Sequence, residues 1–128
     1  MSQTYVVVVV EPDVLVRHPL AAYLRECGYQ VLEALNADEA RQIMIESPMP
    51  VTAVLVDIDA APKDGFALAT WIRAHDPDID VLLAATPAKV AEQAGGLCEE
   101  GPRLAKPYDH QFILDRIRRG RAARDRNL

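Results

Sequence analysis

Apolar residues along this chain fall into short unbroken runs that alternate with stretches where they recur every three or four positions. Val6 to Val10 is an uninterrupted β-branched run, as expected of a parallel strand covered on both faces. Leu15, Leu20, Tyr23 and Leu24 follow at helical spacing, and Gly28 supplies the stop. Val31 and Leu32 predict a short second strand. Asn36 is placed to cap a second helix, with Glu39 in capping-box position and Ala40, Ile43 and Met44 on the apolar face. Pro48 and Pro50 end that helix.

The alternation then repeats. Ala53 to Val56 predicts a third strand, and a loop holding Pro62 and Gly65 leads to a helix carrying Phe66, Leu68, Ala69 and Ile72, which Pro77 closes. Val81 to Ala84 predicts a fourth strand. Residues 87–100 give the weakest pattern, because Gly95 and Gly96 disfavour a helix there. Arg103 to Ala105 predicts a fifth strand, and Asp109 caps a last helix through Phe112, Ile113 and Ile117. Strands alternating with helices imply right-handed crossovers and a doubly wound α/β sheet. The expected organisation is one domain over residues 1–120 and a basic tail over 121–128.

Composition narrows the classes. Half of the 128 residues are apolar, enough for a core and too many for a disordered chain. The apolar run from Tyr5 to Val10 is too short to span a bilayer and lacks the flanks of a signal peptide, so a cytoplasmic protein without a membrane partner is expected. Cys27 and Cys98 show no metal spacing and are expected to stay reduced as packing residues. Residues 116–128 carry six arginines against one aspartate. Without interleaved aromatics or a recognition motif, that tail reads as a solvated helix end, and nucleic acid is not expected as a partner. His18, His75 and His110 have no partner at ligand spacing, and Trp71 reads as packing.

Two segments carry candidate chemistry. The third strand ends on Asp57, and Lys106-Pro107-Tyr108 follows the expected fifth strand 49 positions later. Strand ends converge at one edge of a parallel sheet, so the two can meet there. Such a pair serves either as a phosphoryl-acceptor site or as a structural ion pair.

With Glu11 after the first strand, Asp64-Gly65 opening the third helix and Lys106-Pro107 after the fifth strand, the chain resembles a response-regulator receiver domain of two-component signalling. Phrases such as LRECGYQVLEALNADEA and GFALATWIRAHDPDIDVLL are similar to the same family. The resemblance implies a flavodoxin-like fold, five parallel strands in order 2-1-3-4-5 with about five helices. It implies Asp57 as the phosphoacceptor and Lys106 as its partner. It also implies Mg2+ held by Glu11, Asp57 and the backbone carbonyl of Asp59. The implied partners are a histidine kinase or histidine phosphotransfer protein, and a downstream protein on the face formed by residues 88–119.

The chain departs from the family pattern in that site. Pro12 replaces the second acid of the pair that begins at Glu11, leaving Asp13 one position along as a substitute ligand. Ala85 stands where a hydroxyl residue ends the fourth strand, with Thr86 next to it as a substitute. Arg103 stands at the aromatic switch position. Asp59 adds a carboxylate near the metal position.

The leading expectation is therefore a stand-alone receiver, a signalling domain rather than a turnover enzyme, that accepts phosphate on Asp57, weakly if the departures matter. The alternative is a degenerate receiver that binds partners without phosphorylation. A more distant one is a haloacid-dehalogenase-like phosphatase, suggested only by Asp57-Ile58-Asp59.

Overall fold

The computed structural model describes residues 5–59, 61–100, 114–115, 117–119 and 122. The expected fifth strand, Lys106, Arg103, His110 and the cap at Asp109 lie outside the described residues. Within them, four strands and four helices alternate: β1 (Val6–Val10), α1 (Val14–Glu26), β2 (Gln30–Ala34), α2 (Ala37–Glu46), β3 (Ala53–Asp57), α3 (Pro62–His75), β4 (Asp80–Ala84) and α4 (Pro87–Glu100). The strands are all parallel, in order β2-β1-β3-β4. This is the flavodoxin-like order expected of the sequence, through the four strands described.

Every side chain of β1 is buried, because the sheet is covered on both faces. Val7 and Val9 join Ala53 and Leu55 in one core, beneath α1 and α4. Val8 and Val10 join Val54 and Val56 in the other, beneath α2 and α3. The period of two along a strand thus divides one valine run between two cores.

Helix ends follow local chemistry. Asn36 Oδ1 accepts from the Glu39 N–H at 2.9 Å, while the Glu39 carboxylate reaches back to the N–H of Leu35 at 3.1 Å, one residue earlier than the box predicts. At the end of α1, the Tyr29 N–H donates to the Leu24 carbonyl and the Gly28 N–H to that of Arg25. That is a Schellman turn, and it needs the positive φ of 101° that Gly28 adopts.

Some expectations change. β2 and β4 start earlier than the apolar residues suggest, at exposed Gln30 and Asp80, since ladder pairing continues past the core. Pro62 and Gly65 belong to α3 itself, Pro62 opening it, where its missing N–H costs nothing. Phe66 faces outward at 52% exposure. Residues 87–100 form one continuous helix despite Gly95 and Gly96.

The cysteines correct the sequence reading most directly. Cys27 and Cys98 are joined as a disulfide, with Cα atoms 5.4 Å apart, not kept as separate reduced thiols. Spacing of 71 residues conceals the pairing in the sequence, and only the packing of α1 against α4 brings the two together.

Candidate acidic cleft

The strand register places the candidate site. Val10 pairs with Val56, so the next residues, Glu11 and Asp57, emerge side by side at the C-terminal edge of the sheet. Glu11, Pro12, Asp13, Asp57, Asp59, Ala85 and Pro87 line one cleft of about 140 Å³ there. Strands β1, β3 and β4 therefore bring most of the predicted acidic residues together, as the edge of a parallel sheet does.

Each side chain is held differently. Glu11 is 3% exposed, unusual for a carboxylate. Its Oε1 accepts from the Asp13 N–H at 3.0 Å, while its Oε2 is buried with no donor among the described residues. Burial first, and then a proton shared with the Asp57 carboxyl, together raise the Glu11 pKa to about 8, against the Asp13 N–H, which lowers it. Glu11 thus keeps its proton at neutral pH, and a cation would displace it.

Asp57 Oδ1 accepts from the Asp59 N–H at 2.8 Å, a turn that fixes the chain leaving β3. Asp59 is exposed at the rim. Asp13, the candidate substitute ligand, lines the cleft but is also the N-cap of α1, its Oδ1 accepting from the Leu15 N–H at 2.9 Å. Thr86 is likewise engaged. Its Oγ1 accepts from the Lys89 N–H at 3.1 Å as α4 begins, while Ala85 lines the cleft.

A cation fits this donor set, because the buried Glu11 Oε2 has no donor among the described residues when the two carboxylates are ionised. Among the described residues, no group of three His, Cys, Asp or Glu side chains is arranged to hold a metal by itself. Magnesium does not require one, since it takes one or two carboxylates, a carbonyl and water. The residues that would hold it are Glu11, Asp57 and the backbone carbonyl of Asp59.

Sequence reasoning missed Arg17. Its Nη1 donates to the Glu11 carbonyl at 3.0 Å and its Nε pairs with Glu33 at 3.2 Å, clamping the peptide that carries the buried carboxyl. Arg17 follows Asp13 by one helical turn, which aims it back at the strand end, but only the fold reveals Glu33 opposite. Asp64, near the start of α3, and Gly65 line a second small cavity on the far side of Pro12 and Asp57. A larger groove, about 510 Å³ and lined by Met44, Pro50, Trp71 and Ile79, lies at the opposite end of the strands. Trp71 packs there against His75, centroids 4.4 Å apart.

Comparison with known proteins identifies the family of the chain. The family model described as response regulator receiver domain matches residues 7–118. The chain is 33% identical over 115 residues to the transcriptional regulatory protein AruR of Pseudomonas aeruginosa, covering 88% of this chain and 47% of that protein. It is 28% identical over 116 residues to GltR, a transcriptional regulatory protein of the same organism, covering 88% of this chain and 47% of that protein. The chain thus spans about half the length of the curated relatives it matches. A response regulator receiver protein from Pseudomonas putida superimposes with a TM-score of 0.57 at 25% identity, over 93% of this chain and 99% of that one. Among the described residues, no helix is long and apolar enough to cross a membrane. With the family model matched along most of its length, the chain belongs to the response regulator receiver domain family of two-component signalling.

Proposed function

We propose that Asp57 accepts a phosphoryl group from a phosphohistidine of a histidine kinase or histidine phosphotransfer protein. The observation that carries this reading is the cleft itself, where Glu11 and Asp57 emerge from adjacent strands and the Glu11 oxygen lacks a donor. An Asp57 oxygen attacks phosphorus, and the bond to the histidine nitrogen breaks in line with it. A bound magnesium ion would supply charge neutralisation at the phosphoryl oxygens. Asp57 is the nucleophile, and Glu11 beside it would give up its proton to carry negative charge against a bound cation. Lys106 is the expected counter-charge. Output passes to a downstream protein through the face of residues 88–119.

Pro12 and Ala85 make the reaction weaker than a full acidic pair and hydroxyl would. Each missing charge-assisted contact costs about 1.5–3 kcal/mol, and together they slow phosphorylation by several powers of ten. A specific observation also favours the second reading, a receiver that binds partners without phosphorylation: the substitutes Asp13 and Thr86 are both occupied as helix caps.

The test is incubation with acetyl phosphate and Mg2+, followed by intact mass. A phosphoryl gain that Asp57→Asn abolishes supports Asp57 as acceptor. No gain at saturating donor supports the binding module, and a gain that survives Asp57→Asn overturns the assignment.

A further inference from the structure

We propose that Cys27–Cys98 is a reversible redox site, and that its disulfide holds α4 on the α1 face of the sheet. This site does not depend on phosphorylation at Asp57. The disulfide joins the C-cap of α1 to the last turn of α4. A second tie lies beside it: the Tyr29 hydroxyl donates to the Leu97 carbonyl at 2.5 Å. Leu97 lies in the final residues described for α4, close to Cys98. The Schellman turn at Gly28 presents Cys27 and Tyr29 together, so both ties depend on one short loop.

What these ties hold is a weak helix in an unexpected place. Gly95 and Gly96 lie in α4 within one turn of Cys98, and glycine is the poorest helix former after proline. Packing does not demand Gly96, since a Cβ added there would meet nothing within 4 Å. The position of α4 is also unusual. The β2-to-β3 and β3-to-β4 crossovers run in one direction and carry α2 and α3 on one face. A right-handed crossover from β4 to a strand beyond it would put its helix on that same face. Instead α4 packs against α1 on the other. A helix of low intrinsic stability on that face is the element most sensitive to loss of a covalent tie.

Oxidation joins the two sulfurs with release of two protons, and the two electrons pass to a small disulfide such as oxidised glutathione, which becomes two thiols. Reduction is the reverse, through thiolate attack and a mixed disulfide. Both cysteines are at most 5% exposed, so exchange proceeds through opening of the end of α4.

The test is hydrogen exchange of the full chain, with thiols counted by alkylation and mass. Oxidised protein should alkylate at neither cysteine and dithiothreitol-treated protein at both. Reduction should speed exchange across residues 87–100 by about tenfold or more while leaving α2 and α3 unchanged. Oxidised glutathione should restore the slow pattern. Cys98→Ser should reproduce the reduced pattern, and Gly96→Ala in reduced protein should recover part of the protection. Equal protection of α4 in both states, or thiols that oxidised glutathione does not rejoin, would overturn the proposal.

Discussion

Glu11 and Asp57 stand side by side because Val10 and Val56 are register partners on adjacent parallel strands. One carboxyl of the two is buried, and its Oε2 has no donor among the described residues. That relationship makes the cleft a charge sink. Glu11 keeps a proton there at neutral pH, one that a bound cation would displace.

The first consequence is a pH dependence of stability. The Glu11 pKa rises from 4.5 to about 8 on folding, chiefly through burial. The unfolded chain therefore releases this proton near pH 4.5 and the folded one near pH 8. Between those values the unfolded state binds fewer protons, so stability falls as pH rises and levels off above about 8. Glu11→Gln should remove this slope. Urea unfolding of both proteins between pH 5 and pH 8.5 measures it, and parallel slopes would show that Glu11 is not the titrating group.

Magnesium affinity should respond to the residue beside Glu11. Pro12 lines the cleft and is exposed, so an added carboxylate there meets both solvent and the metal position. Pro12→Asp is expected to tighten Mg2+ binding by about tenfold, the scale on which supporting groups alter metal affinity. Titration calorimetry of both proteins checks it.

Gly65 fixes the entry of α3 beside the cleft. A Cβ there would lie 2.6 Å from Cγ2 of Ile58, whose N–H is bonded to the Ala84 carbonyl. Ile58 cannot withdraw without disturbing the chain that leaves β3. Gly65→Ala is therefore expected to cost about 1–3 kcal/mol, the usual range for overpacking, measured by chemical denaturation.

Much of this was legible in the residues. The valine run announces a doubly covered strand, because a parallel sheet with helices on both faces buries all five consecutive residues. Asn36 and Gly28 mark helix ends through chemistry that is local and so readable from sequence. The third helix starts earlier than the apolar spacing predicts, because Pro62 opens it and Gly65 sits tight against Ile58, although both are common loop residues. Asp57 and Glu11 were readable from their positions at strand ends. Asp13 and Thr86 as helix caps were not, since a carboxylate or hydroxyl one residue from a candidate site can serve either purpose. The Arg17–Glu33 pair and the Cys27–Cys98 bond depend on which helix packs against which strand or helix, which no local pattern encodes.

In the proposed reaction the cleft takes a cation and then a phosphoryl group at Asp57. Amide spectra recorded during titration with Mg2+, and then with beryllofluoride as an acyl-phosphate mimic, test this directly. The predicted result is saturating shifts at Glu11, Asp57 and Asp59 that extend through Thr86 into α4. A spectrum unchanged at millimolar concentrations of both would contradict it.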